Sequence, residues 1–379
     1  MRVLYCTDTY PPQVNGVSVV TAISVAGLRE RGWDVHVIAP KYPDGGAHTD
    51  VHAEDPNVTS IPSVPLPLYP DVRLVLPDYA TVRETVDHLR PDIVHIATEF
   101  LVGRLGQIAA MRAGVTCVTS YHTDFSRYMA KYGVPWLAKP VSSYIARFHK
   151  RARRTFTPSE ASRDDLTKLG VSDVIVWGCG VDADRFNPSR RSQELRVKLG
   201  IDGAFTFLYV GRLAAEKGVD IVVEAYRRAE KQLPPGAARL VIAGSGPEER
   251  RLRATAPAGT VFLGFLERDT ALPALYASAD AFAFASTTET LGLVVLEAMA
   301  SGISVIAAPA GGVAQNLRDG ENGIAYPAND VDACAAAMVR LVTDGALSVR
   351  LRTGARRTAE SLSWSVELDR LDASYRELL

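Results

Sequence analysis

Short apolar runs of strand length recur through the first half of the chain, at residues 3–7, 35–39, 93–97, 117–121, 155–157 and 174–177. The stretches between them carry apolar residues at helical spacing, and strands that alternate with helices predict a parallel sheet. The second half repeats the pattern at 206–210, 240–243, 261–265, 281–285 and 304–307. Each half is therefore expected to be a Rossmann-like α/β unit. Between them Gly180-Val-Asp-Ala-Asp-Arg-Phe-Asn-Pro188 gathers glycine, proline and turn-forming polar residues, which marks a linker with its boundary near Asn187. The expected domains are 1–187 and 188–363, followed by a terminal helix over 364–379. Parallel sheets bind ligands beyond the carboxyl ends of their strands, so two facing units predict one cleft between them.

Composition narrows the class. A chain of 379 residues exceeds one ordinary core, and 47% hydrophobic with 22% charged residues is globular. No apolar run reaches the roughly 18 residues of a spanning helix, and residues 1–8 run straight into a strand pattern, so a cytoplasmic location is expected. A net charge of −1 argues against a general nucleic-acid role. Cys6, Cys117, Cys179 and Cys334 have no short-range pairing, which indicates buried thiols rather than zinc ligands or disulfides.

Candidate chemistry concentrates in the second half. In Ser286-Thr-Thr-Glu289-Thr290-Leu291-Gly292-Leu-Val-Val-Leu-Glu297-Ala-Met-Ala-Ser-Gly302, two carboxylates stand eight positions apart. With a helix starting near Leu291 or Gly292, Glu289 lies in the preceding loop and Glu297 in the second turn, while Leu293, Leu296 and Ala300 supply the packing face. The amides of Thr290, Leu291 and Gly292 would open toward the same point, where a helix start favours a phosphate. Two glutamates at this spacing alone also describe a solvated helix start. Upstream, Phe207-Leu-Tyr-Val-Gly211-Arg212-Leu-Ala-Ala-Glu216-Lys217-Gly218 reads as strand, glycine turn and helix from about Val219. Arg212 brings a planar fork and Lys217 a compact charge, a pair suited to a diphosphate. In the first half, Gly16 opens a helix after the proline-rich loop from Thr7, and His122 follows a strand end; His95, inside a strand, is assigned to the core.

The order of these elements resembles the retaining glycosyltransferases of family 4, nucleotide-sugar enzymes of the GT-B fold. Pro-Pro-Gln-Val-Asn-Gly-Val, Ser-Tyr-His-Thr-Asp-Phe-Ser-Arg-Tyr, Trp-Gly-Cys-Gly-Val-Asp and the segment around Glu297 look like the GDP-mannose-dependent α-mannosyltransferases, with sulfoquinovosyl transferases as cousins. The resemblance implies transfer of a hexosyl group, mannosyl from GDP-mannose, to an acceptor hydroxyl with retention. It places His122 and Glu289 on the sugar, Arg212 and Lys217 on the diphosphate, Gly16 in a loop closing over it, Gly246 near the base and Glu297 on the ribose. It also implies a terminal helix crossing back to the first domain and no metal or other cofactor; Asp182-Ala-Asp184 is read as turn chemistry. Cys179 stands where such relatives often carry arginine or lysine.

Partners and alternatives complete the expectations. From Trp136 to Arg154, Leu137, Val141, Tyr144, Ile145 and Phe148 share a helical face beside Lys139, Arg147, Lys150, Arg151, Arg153 and Arg154, a pattern that fits either packing on the sheet or an anionic membrane surface carrying a glycolipid acceptor. The proline-rich residues 61–70 exclude an ordinary helix or central strand. A UDP-sugar-dependent glucosyl or sulfoquinovosyl transferase, a GT-B epimerase or phosphorylase, and a non-catalytic sugar-nucleotide binder fit the same frame. A nicotinamide dehydrogenase does not, because Gly244-Ser-Gly246-Pro-Glu-Glu lacks the third glycine.

Overall fold

Two parallel sheets organise the chain. In the computed structural model, which describes residues 1–13, 15–42, 55–66, 69–122, 134–178 and 180–379, the first sheet holds β1 (Arg2–Cys6), β2 (Asp34–Pro40), β3 (Val58–Ile61), β6 (Ile93–Ile96), β7 (Thr116–Ser120), β8 (Arg154–Thr157) and β9 (Val174–Val176). Its order is β3-β2-β1-β6-β7-β8-β9. The second sheet runs β12-β11-β10-β13-β14-β15, with β10 (Phe205–Val210), β11 (Ala238–Ala243), β12 (Thr260–Gly264), β13 (Ala281–Phe284), β14 (Ser304–Ala307) and β15 (Gly323–Ala325). In both sheets the chain lays three strands in one direction and then returns past the first, so each has a reversal point beside its first strand, β1|β6 and β10|β13.

The apolar runs become strands because helices cover both faces. Leu4, Val37, Val94 and Val118 in the first sheet, and Leu208, Val241, Phe282 and Ile306 in the second, are all fully buried. The 61–70 segment departs from the parallel pattern: β4 (Ser63–Leu66) and β5 (Tyr69–Val75) form a separate antiparallel hairpin with Val64 opposite Leu74. That arrangement tolerates Pro65, which has no amide to donate.

Contacts divide the chain into two units, one from Met1–Ser126, Leu137–Gly178 and Ser365–Leu379, the other from Arg127–Trp136 and Cys179–Trp364. The first unit thus includes most of the terminal helix Trp364–Arg376, whose Tyr375 hydroxyl meets the Tyr5 hydroxyl at 2.9 Å and also bonds His95 Nδ1. His95 is buried, with Nε2 on the Ser120 hydroxyl at 2.7 Å, so it is a core residue as its strand position implied. Cys6, Cys117 and Cys334 are buried free thiols, and Cys179 lies outside the described residues.

Candidate active site

The reversal point of the second sheet sets two loops side by side, 211–218 after β10 and 285–292 after β13. Lys217 from the first donates Nζ to Glu289 Oε1 of the second at 2.5 Å. Burial raises the Glu289 carboxyl, yet Lys217, the Ser286 hydroxyl and Arg212 outweigh it and hold Glu289 below its ordinary value. Glu289 is thus a carboxylate at neutral pH. Arg212 donates Nη2 to the buried carboxylate of Glu216, and the Tyr209 hydroxyl donates to the Arg212 carbonyl at 3.1 Å. Arg212, Lys217 and Glu289 are therefore brought together, with Glu216 anchoring the arginine.

The helix after this loop runs Leu293–Ala300 and begins on Gly292, whose φ of 77° is left-handed; Leu293, Leu296 and Ala300 are buried as expected. Thr290 and Leu291 form the approach to it. Behind them the Gly312 amide donates to the Glu289 carbonyl at 2.8 Å. A Cβ at Gly311 would stand 2.1 Å from that same carbonyl, so a glycine there is what lets the Glu289 loop close. Sequence reading missed Gly311, whose importance lies in a contact and not in a motif.

Gly246 and Glu297 are each fixed by close neighbours. Gly246, with φ 156°, approaches the loop after β10 so closely that a Cβ would lie 2.4 Å from the Leu213 carbonyl, and Leu213 N bonds Ser245 O at 2.8 Å. Gly246 interlocks two loops at the strand ends. Glu297 is only 2% exposed; Arg268 Nε donates to Oε1 at 2.8 Å and the Tyr276 hydroxyl to Oε2 at 3.2 Å. Burial raises its carboxyl, against the pull of Arg268 and Tyr276. Neither Arg268 nor Tyr276 carried a sequence signal.

The first unit supplies Gly16 and His122. Gly16 starts the helix Gly16–Glu30, capped by Asn15, whose side chain accepts from Ser18 N at 2.9 Å. A Cβ at Gly16 would meet nothing within 4 Å, so no internal packing requires a glycine there. His122 follows β7 and keeps part of its surface accessible; burial of the ring and neighbouring His149 push it down to about 4, so it is neutral at physiological pH. His149 is buried, held by the Thr119 hydroxyl on Nδ1 at 2.9 Å and Glu99 on Nε2 at 3.3 Å.

His149 ends the helix Ala138–His149, whose apolar stripe divides. Ile145 and Phe148 are buried with Val141 against the core, while Leu137, Lys139, Arg147, Lys150, Arg151 and Arg153 are exposed; Tyr144 is partly exposed with its hydroxyl donated to the Glu99 carbonyl, and Trp136, just before the helix, is 69% exposed. Arg154 does not join them: it pairs with Asp173 at 3.2 Å and Glu377 at 2.9 Å. No described helix is long and apolar enough to cross a membrane. Asp182 accepts from Arg185 N at 2.9 Å within its turn, and among the described residues no His, Cys, Asp or Glu side chains gather as metal ligands would.

Comparison with known proteins follows the same division of the chain. Residues 14–185 match the family model described as Glycosyltransferase Family 4, and residues 191–358 the one described as Glycosyl transferases group 1. The chain is 34% identical over 376 residues to the GDP-mannose-dependent alpha-mannosyltransferase of Mycobacterium tuberculosis, covering 99% of this chain and 96% of that one. It is 33% identical over 350 residues to the sulfoquinovosyl transferase SQD2 of Arabidopsis thaliana, covering 89% and 66%. Among solved structures, Anabaena HepE in complex with UDP and glucose matches with a TM-score of 0.80 at 23% identity over the whole of both chains.

Proposed function

Because the chain belongs to glycosyltransferase family 4 and has the GT-B fold, we propose that it moves a mannosyl group from GDP-mannose to an acceptor hydroxyl with retention at the anomeric carbon. The observation that carries the reading is the Lys217–Glu289 contact across the reversal point of the second sheet, with Arg212 beside it. The bond from the sugar to the diphosphate breaks with its electron pair going to the phosphate oxygen. Arg212, Lys217 and backbone amides near Gly16 and Leu291 neutralise that charge as it develops, a kind of preorganised stabilisation in which one donor is worth about 100 to 1000-fold in rate. The acceptor oxygen attacks from the face the diphosphate leaves, and its proton passes to a departing phosphate oxygen. Glu289, held ionised, accepts from sugar hydroxyls; neutral His122 holds the sugar's other side, and Glu297 serves the ribose by exchanging one of the hydrogen bonds it accepts from Arg268 and Tyr276. No metal takes part, and the protein acts in the cytoplasm.

The acceptor in this reading is a glycolipid at an anionic membrane surface, met by the outward residues of the helix Ala138–His149. Trp136 would sit at the headgroup level, and the exposed cations would each be worth about 1 kcal/mol near the surface. A UDP-sugar donor is the second reading, favoured by the likeness to HepE, whose structure holds UDP and glucose.

One assay separates these. Purified protein with chelator is given GDP-mannose, UDP-glucose or UDP-sulfoquinovose, with and without glycolipid in anionic vesicles. Acceptor-dependent release of GDP and an α-linked product are expected. A β-linked product, a strict requirement for added metal, or consumption of UDP-sugars alone would overturn the corresponding part. Donor conversion without any acceptor would point to an epimerase. Changing Arg147, Lys150, Arg151 and Arg153 together to Gln should release the protein from vesicles at low salt; unchanged binding would remove the membrane role.

A further inference from the structure

One buried hydroxyl beside the Arg212–Lys217–Glu289 group has no task in the reading above. Tyr209, in β10, is fully buried, and its ring stacks on Phe284 of β13 with 6.1 Å between centroids and 21° between planes. Phenylalanine would pack there as well. What distinguishes tyrosine is the hydroxyl, which donates to the carbonyl of Arg212, three residues on and past the strand end, at 3.1 Å. Burial, with Glu289 and Glu216 close by, holds the phenol well above its ordinary value, so it stays a donor at any working pH.

That carbonyl does not need the tyrosine in order to be satisfied. Ala214 N already donates to it at 3.1 Å, and the Tyr209 hydroxyl takes its second lone pair. A second bond to a satisfied acceptor adds direction. The neighbouring peptides are fixed too: Gly211 N donates to Ala243 O at 3.0 Å and Leu213 N to Ser245 O at 2.8 Å. Gly211 makes room for the hydroxyl, since a Cβ there would stand 3.0 Å from it, and its φ of 152° suits glycine. Arg212 thus leaves a backbone held at three successive residues, and its guanidinium ends on the buried carboxylate of Glu216. A matching bond exists at the opposite end of the same sheet, where the buried Tyr226 donates its hydroxyl to the carbonyl of Ala238, the first residue of β11, at 3.0 Å.

We propose that Tyr209 is a positioning residue for transfer: its hydroxyl, acting through the Arg212 carbonyl, sets the direction from which the Arg212 guanidinium meets the departing diphosphate. This rests on the role given to Arg212 in the proposed function. Tyr209→Phe keeps the ring and removes only the bond, and Tyr226→Phe removes an equivalent bond far from the strand ends that carry Arg212 and Glu289.

Turnover of labelled donor, with the sugar nucleotide that the assay above selects, is measured beside urea unfolding for the wild type, Tyr209→Phe, Tyr226→Phe, Arg212→Ala and the double variant of Tyr209→Phe with Arg212→Ala. Both tyrosine variants are expected to lose a similar, small amount of stability, each giving up one hydroxyl-to-carbonyl bond. Only Tyr209→Phe should lose kcat, by about 10 to 100-fold, with KM within about threefold of the wild type. Once Arg212 is alanine, removing the Tyr209 hydroxyl should change kcat by less than about twofold, because the group it aims is gone. A wild-type kcat in Tyr209→Phe overturns the proposal. So does an equal loss with and without Arg212, or an equal loss in Tyr226→Phe, either of which marks a general effect on the fold. Wild-type turnover in Arg212→Ala would instead remove the role of Arg212 on which the proposal stands.

Discussion

The two reversal points have the same topology and opposite chemistry. In the first unit Asp8, leaving β1, turns its carboxylate onto the start of the helix Leu101–Ala113, accepting from Val102 N at 2.8 Å and Gly103 N at 3.3 Å as well as from the Thr98 hydroxyl at 2.7 Å. The acceptor at that helix end is the protein's own carboxyl, which burial raises against the pull of Thr98, Val102 and Gly103. In the second unit both flanking helices, Val219–Glu230 and Leu293–Ala300, start on left-handed glycines, Gly218 and Gly292, with no side-chain cap, and the charges beside them are the Lys217–Glu289 and Arg212–Glu216 pairs. A helix start is favourable for an anion in either case. What differs is whether the fold fills it with its own side chain, and under the proposed function that difference assigns the donor diphosphate to the second sheet.

The largest test of this contrast is a pair of substitutions on the open side. Lys217→Ala and Glu289→Gln are expected to lower kcat by about 100 to 1000-fold while the protein still unfolds cooperatively, because each removes a group that acts on developing charge or on the sugar. Steady-state rates with a labelled donor, set beside thermal melts, check this. Rates within threefold of wild type in both variants would mean that the second reversal point is not where transfer occurs.

On the closed side the effect should fall on stability. Asp8→Ala leaves two amides and a hydroxyl without their acceptor, an expected cost of about 2 to 4 kcal/mol in denaturant unfolding. Inorganic phosphate or sulfate, able to replace the missing carboxylate, should restore more stability to this variant than to the wild type. If Asp8→Ala unfolds like the wild type and loses activity instead, the two reversal points are not divided as described.

Much of this frame was legible in the chain. The strand runs of both sheets lie within two residues of their structural ends, since burial on both faces writes itself into continuous apolar stretches. Four strands escaped: β3 is half polar, β15 has three residues, and β4 and β5 form a hairpin interrupted by prolines. The loops holding Arg212, Lys217 and Glu289 were visible because glycine and charge sit at fixed spacing beside a strand. What could not be read was partnership across long separations. Asp8 bonds residues some 90 positions away, and Glu297 depends on Arg268 and Tyr276, 29 and 21 positions upstream, with no motif joining them. Glu297 was seen and its sealing was not, because burial of a carboxylate is a property of three elements at once.

The smallest expected effect concerns protonation of His122, which the proposed function assigns to the sugar and not to phosphate. His122 titrates near 4 in the folded protein, against about 6.5 when exposed, because ring burial and His149 both oppose its charge. The sign follows from proton binding: between pH 6.5 and 4 the unfolded chain takes up a proton that the folded one refuses, so stability falls as pH drops through this window and is flat above it. His95, pushed by burial and by His122 to about 3, adds to the same slope. Replacing His122 with Asn removes one of these sites and relieves some of the pressure on His95, so urea unfolding across pH 4 to 7 should show a shallower acid slope in His122→Asn, while the neutral-pH difference reports only lost packing. Activity gives the matching reading. A neutral His122 at the sugar predicts a wild-type kcat with no inflection near 6.5, and an inflection there that disappears in His122→Asn would mean the ring is charged in the working enzyme and faces an anion after all.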